Sequence, residues 1–343
     1  MKPELAPDFE LESERLSIRG YGRSQGELCG GTVRWLDDYV DALAPYYDLE
    51  PGQIGIYHWF SDDLWEEHSP CPTVKGCVLP TEGAAYTKDV PFEHEIVHLV
   101  NGRCIWALDE GLAEYLRGTV LTPSGNVEQV DIEHTLGVDF DGVEYVWSDY
   151  HRARNFVSFL VHEYGLESVV ELCEASPAGI EREDFDVATR EVLGVGLEDL
   201  LVAYADYPEC DEEQDRAKLL ECSREPTFEL GLGDEIDVDV NLSCVHPDAV
   251  GPKRDLFHVS YGVRILESGE YGVRMRHAGA DLTGASLRFE QCASCGDGAH
   301  GHSYTWDPNY VALPTWYEAG SYVLELQLPI GFNGDVGIQM FSY

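Results

Sequence analysis

Two histidines four residues apart, His94 and His98, constrain this chain more than any other feature. They lie in the stretch 91–116, PFEHEIVHLVNGRCIWALDEGLAEYL. On a helix that spacing puts both imidazoles on one face, one turn apart. Neutral imidazoles so placed can grip a single zinc ion. Glu95 stands beside them as a carboxylate able to take a proton. Ile96, Val97, Leu99 and Val100 are apolar, as a helix buried in a core requires. A second acidic helix follows closely: Trp106-Ala107-Leu108-Asp109-Glu110-Gly111-Leu112-Ala113-Glu114-Tyr115. The plain alternative makes the histidines surface residues of an acidic protein, and Glu110 a carboxylate favoured by a helix dipole.

His94-Glu95-Ile96-Val97-His98 is an H-E-x-x-H motif. Together with 106–115 it resembles the gluzincins, zinc metallopeptidases whose third ligand is a Glu on the helix after the motif, often within W-L-x-E-G-[LF]-A-x-Y. The resemblance implies Zn2+ held by His94, His98 and Glu110, with Glu95 as the general base. It also implies that Glu114 bonds the outer nitrogen of a ligand histidine; a solvated face is the alternative. The connection from His98 to Glu110 is shorter than in the aminopeptidase branch and closer to compact bacterial members. Gly83, Ala84 and Ala85 precede the motif where gluzincins carry an edge strand that pairs with extended substrate, so the resemblance makes them substrate-binding. Small residues there let a peptide backbone approach. The G-A-M-E-N signature of the aminopeptidases is missing, so their activity is not implied. Tyr150-His151-Arg152-Ala153 through Leu160 is similar to the family's Y-x-x-[GA]…L helix, whose Tyr donates to the oxyanion. That assigns Tyr150, with His151 as the neighbour of suitable chemistry, against a plain core tyrosine.

The chain has 343 residues, enough for two domains, and 44% are hydrophobic, so it is globular. No apolar run reaches the eighteen residues that a membrane span needs. The net charge of −42, from 64 acidic and 22 basic residues, repels phosphate backbones and anionic lipid. The expectation is therefore no nucleic-acid partner and no binding to a membrane surface. The acidity suits solubility in salt, cationic substrates, or simply a solvated surface, which is the plainest reading. Ten cysteines form an even set. The close pairs Cys71/Cys77, Cys210/Cys222 and Cys292/Cys295 look like loop staples, and five disulfides would place the protein in an oxidising compartment. The start MKPELAPDFE has no basic n-region or apolar h-region. The expectation is a secreted, periplasmic or cell-surface protein whose signal peptide has been removed; the alternative is a cytosolic protein with buried free thiols.

Along the chain, residues 9–21 alternate like a strand. A helix is expected over 32–47, with Pro45 kinking it or ending it early. Residues 53–60 read as a strand and 119–146 as irregular, broken by Pro123, Ser124, Gly125 and Gly137. A helix should run from Trp147 to a stop at Gly165, with further helices near 166–174, 181–193 and 197–207. Residues 208–226 read as a disulfide-closed linker. From Phe228 onward, short alternating strands at Ile236–Val240, Tyr271–Met275 and Tyr322–Leu328 suggest an antiparallel β-sandwich. Cys292-x-x-Cys295 with His300 and His302 permits a structural zinc knuckle, against disulfides to Cys244 or elsewhere.

The expected fold class is α+β: a gluzincin-type domain at 9–207 with a small N-terminal sheet, an active-site helix and a helical subdomain, a linker at 208–226, and a β-sandwich at 227–343. The expected function is an exported zinc peptidase acting on peptide or protein substrate, with the β-domain serving substrate or surface attachment. Two rivals stay open: a non-catalytic binding protein on the same scaffold, and a zinc hydrolase of non-peptide amides.

Overall fold

The computed structural model describes residues 5–117, 131–208, 216–277, 281–293, 301–305 and 313–343. Among them are ten α-helices and fifteen strands, a mixed α and β architecture. Strand β1 (Phe9–Glu12) folds back on β2 (Leu16–Tyr21). The first helix, α1 (Thr32–Tyr47), buries Trp35, Leu36, Tyr39, Val40 and Leu43, the face that a 3.6-residue period puts inward. Pro45 does not end it early. It sits in the last turn, and the helix closes at Asp48 in the left-handed conformation. Then come β3 (Gly55–Phe60), α2 (Asp62–His68), β4 (Gly76–Leu79) and β5 (Ala84–Thr87).

The sheet order is β1-β2-β3-β5-β4. The central strands β2, β3 and β5 run parallel, and β1 and β4 close the two edges antiparallel. This corrects the expectation for Gly83, Ala84 and Ala85. Ala84 and Ala85 are buried and paired on both sides, to Ile56 and Tyr57 and to Leu79 and Val78. Their small side chains serve tight sheet packing, and the edge on that side of the sheet belongs to β4.

The helices follow as α3 (Glu93–Val100), α4 (Trp106–Leu116), α5 (Ile132–Phe140), α6 (Trp147–Tyr164), α7 (Leu166–Glu174), α8 (Arg182–Val192), α9 (Leu197–Tyr204) and α10 (Leu219–Ser223). Helix α5 lies in a stretch expected to be irregular. Asp131 caps it, its carboxylate accepting from the His134 backbone N–H at 2.8 Å. Gly137 sits inside it, buried. Pro123, Ser124 and Gly125 lie outside the described residues. Gly111 lets α4 cross α6 closely: a Cβ there would stand 2.7 Å from the Ala153 carbonyl oxygen. One apolar core unites the first sheet with α1, α3 to α9 and Leu220 of α10.

The remaining strands are β6 (Phe228–Leu230), β7 (Glu235–Ser243), β8 (Val250–Lys253), β9 (Leu256–Ile265), β10 (Gly269–His277), β11 (Ser286–Gln291), β12 (Gly301–Thr305), β13 (Thr315–Tyr317), β14 (Gly320–Pro329) and β15 (Asn333–Ser342). One sheet runs β13-β10-β15-β7 and the other β12-β11-β14-β9-β6, with β8 paired to β9. Both bury alternate residues into a shared core, for example Val273 and Ile338 against Phe257, Leu287 and Leu324. All pairings are antiparallel except β6 with β9.

Four disulfides occur among the described residues: Cys29–Cys244, Cys71–Cys77, Cys104–Cys173 and Cys222–Cys292. Such bridges fit an oxidising, extracellular type of environment. Only one of the three expected short staples forms. Cys222 reaches 70 residues along the chain to Cys292, so neither Cys210/Cys222 nor Cys292/Cys295 pairs. The 208–226 stretch is thus tied to the β-sandwich and not closed on itself. The same bond removes Cys292 from any zinc knuckle; Cys295 and His300, like Cys210, lie outside the described residues. Among the described residues no helix is long and apolar enough to cross a membrane.

Candidate metal centre

Helix α3 is unusual in burying polar residues along with apolar ones. Ile96 and Val97 anchor it in the core, while Glu93, His94 and Glu95 are each less than a tenth exposed. Helix α4 lies against it. Asp139 of α5 accepts from the backbone N–H groups of Trp106 at 2.6 Å and Ala107 at 3.2 Å, satisfying donors that the first turn of α4 leaves open. Asp139 carries no motif, and only the fold brings it to that helix end.

The three expected ligands converge. His94 Nε2 and His98 Nε2 are 3.1 Å apart, and Glu110 Oε2 is 3.2 Å from the first and 3.3 Å from the second. Tetrahedral coordination at zinc bond lengths of about 2.0–2.1 Å separates neighbouring ligand atoms by about 3.3 Å. The triangle is therefore the size of one face of such a site. Glu110 Oε2 is buried with no aligned hydrogen bond, its neighbours being the two imidazole nitrogens in ionic contact. Among the described residues, His94, His98 and Glu110 form the one group of this kind.

The outer nitrogens are also held. His98 Nδ1 lies 3.2 Å from Asp109 Oδ1, which also accepts from Asn101 Nδ2 at 3.0 Å. Glu114 Oε1 lies 3.1 Å from His94 Nδ1, in ionic contact though out of line for a hydrogen bond. Arg117 bonds Glu114 at 2.9 Å, and Arg154 stands 4.0 Å away. Carboxylates behind ligand imidazoles orient the rings and raise their basicity. The sequence points to Glu114 for this place; it does not point to Asp109 or Asn101, because their partner is set by how α3 meets α4.

Charge follows this geometry. Burial pushes the His94 ring down, yet Glu110 and Glu114 outweigh it and hold the ring at about 9. His98 is raised further, Glu110 and Asp109 overcoming its burial. Glu114, despite burial, is drawn to about 2 by Arg117 and His94. Glu95 goes the other way: burial raises it above the usual carboxylate range against the pull of the two histidines. Its carboxylate lies against β4. A Cβ at Gly76 would stand 2.5 Å from Glu95 Oε1, so glycine there makes room for the acid at the sheet edge.

Tyr150 stands near enough to feel the charge of the same group. Burial raises its hydroxyl pKa, and the charges of Glu110, Glu114 and Glu95 add to that. Its ring packs 5.1 Å from Trp106 and 5.3 Å from Trp147. His151, half-buried, is the next residue on α6 and so points about 100° around the helix. Gly83, half-buried, ends the turn before β5 at a φ of 59°, while Ala84 and Ala85 lie within the interior of the sheet. No protein-family model matches the chain, and no curated protein matches it.

Proposed function

We propose that this chain is a zinc-dependent hydrolase of peptide bonds, of gluzincin type. The observation that carries the reading is the triangle of His94 Nε2, His98 Nε2 and Glu110 Oε2, with edges of 3.1, 3.2 and 3.3 Å, beside a buried carboxylate. A zinc ion bound there would act as a Lewis acid on a carbonyl oxygen and acidify a water molecule.

Glu95 takes the proton from the attacking water and returns it to the leaving amine. Its raised pKa fits both halves of that task, since a carboxylate closer to neutrality accepts and donates more readily. Tyr150, protonated at neutral pH like any phenol, donates its hydroxyl proton in a hydrogen bond to the oxyanion as charge develops on the carbonyl oxygen. The outer backbone of β4, next to Glu95, offers an extended peptide a strand to pair with. A role as a binding scaffold would leave Glu95 without a task, because a structural metal needs no base.

The test is metal content and cleavage together. The wild-type chain should bind about one zinc and cut members of a peptide library. Glu95→Gln should keep the metal and lower turnover by ~10²–10⁴. Wild-type turnover in that variant would remove Glu95 from the chemistry. Zinc uptake with cleavage of small amides but of no peptide would move the reading to non-peptide substrates.

A further inference from the structure

We propose that the β-sandwich supplies a positioning residue for the metal centre, Lys253, which acts through Glu93 on the first turn of α3. The inference rests on the reading of His94, His98 and Glu110 as metal ligands.

Glu93 is the first residue of α3 and is fully buried. Its carboxylate has two side-chain partners from different parts of the chain. Trp35 Nε1 of α1 donates to one oxygen at 2.9 Å, and Lys253 Nζ of β8 donates to the other at 3.1 Å. Lys253 is itself only 7% exposed and is 160 residues away in sequence. Trp35 is enclosed from the same side. His258 of β9 meets its ring edge-on at 5.5 Å, and the Arg224 guanidinium lies 5.0 Å above it.

The strand that carries Lys253 is held rigidly against the first domain. The backbone N–H groups of Cys29, Gly30 and Gly31 donate to the carbonyls of Gly251, Cys244 and Ala249 at 2.8–2.9 Å. The Thr32 hydroxyl donates to the Gly251 carbonyl at 2.6 Å, and the Val90 N–H reaches the Pro252 carbonyl at 3.4 Å. Gly30 and Gly31 permit this approach, since a Cβ on either would stand 2.7 Å from a carbonyl oxygen of His246 or Pro247. Cys29–Cys244 closes the joint covalently.

A carboxylate in such a place must have its charge met. The cation that meets it comes from a fixed strand, so it also pins the turn that begins with Glu93. The neighbour of Glu93 is His94, and His98 follows one turn later on the same helix. A small rotation of α3 would open the 3.1–3.3 Å triangle to Glu110, which stands on another helix. The β-sandwich is thus part of the metal-binding unit and not a separable attachment module.

Cobalt(II) binding to the full-length chain tests this, because its visible absorption reports ligand geometry. Lys253→Met should bind Co2+ about 10- to 100-fold more weakly, as loss of an outer support does, with a changed visible spectrum. Lys253→Arg should recover most of the affinity. Should Lys253→Met fail to fold, the double variant Glu93→Gln/Lys253→Met decides, since both charges of the buried pair are removed together. It should melt cooperatively yet remain weak for cobalt. Wild-type affinity and spectrum in either folded variant would overturn the proposal. A wild-type chain that takes up no cobalt would overturn both this and the metal reading. Normal cobalt uptake with no hydrolysis of any peptide would overturn the peptidase reading alone.

Discussion

Loading the metal should expel protons, and the number follows from the carboxylates around the two histidines. In the metal-free protein Glu110 and Glu114 hold His94 at about 9. At pH 7 a group of that pKa is neutral in only about 1% of molecules. A ligand nitrogen must be neutral, so binding strips about one proton from His94. His98 is raised as well and would bring the total towards about two. The facing Nε2 atoms, 3.1 Å apart, oppose a second charge. Apparent zinc affinity should therefore rise about 10- to 100-fold per pH unit between roughly pH 6 and 8 and flatten above about pH 9. Stability of the metal-free chain runs the other way. A pKa raised from 6.5 to about 9 contributes on the order of 3 kcal/mol, fully present below pH 6.5 and lost as pH rises through 9. The assay is calorimetric titration with zinc at pH 7 in buffers of different ionisation enthalpy, whose slope counts protons. A slope of zero would mean that the rings are already neutral and that the carboxylates do not govern them.

Two further substitutions probe the surroundings. Asp109→Asn removes the charge behind His98 Nδ1 while keeping an acceptor for Asn101, and should weaken zinc binding about 10- to 100-fold in competition with a chelator; unchanged affinity would strip Asp109 of that role. Tyr150→Phe should lower kcat by about 10²–10³ with KM nearly unchanged, as the loss of a donor felt only in the transition state does. A normal rate for Tyr150→Phe beside a collapsed rate for His151→Ala would pass the role to the histidine.

Local rules accounted for much of the fold. The face of α1, the start and stop of α6 at Trp147 and Gly165, and the alternation in β7, β10 and β14 are all periodic patterns that a chain displays without its neighbours. Helix α5 escaped because Gly137 reads as a breaker, while its burial among neighbouring segments sets its actual cost. The group that could hold a metal was legible for the same reason as the helices: His94 and His98 are joined by helical spacing, and Glu110 by a short connection. Glu114 was within reach for that reason too.

What was not legible depends on contacts between distant segments. The cysteine pairs looked local, since short loops close easily, yet Cys222 finds Cys292 and Cys29 finds Cys244 because the β-sandwich docks on the first domain. The small residues of β5 suggested a strand open to substrate, but strand order is a property of the whole sheet, and the edge on that side fell to β4. Asp139 at the end of α4 and Lys253 beneath α3 carry no motif at all. Sequence alone determined which residues could bind a metal, because that needs only chemistry and helical spacing. Which groups orient those side chains was decided by the tertiary structure, because a buried charge takes its partner from whatever the fold brings within about 3 Å, at any distance along the chain.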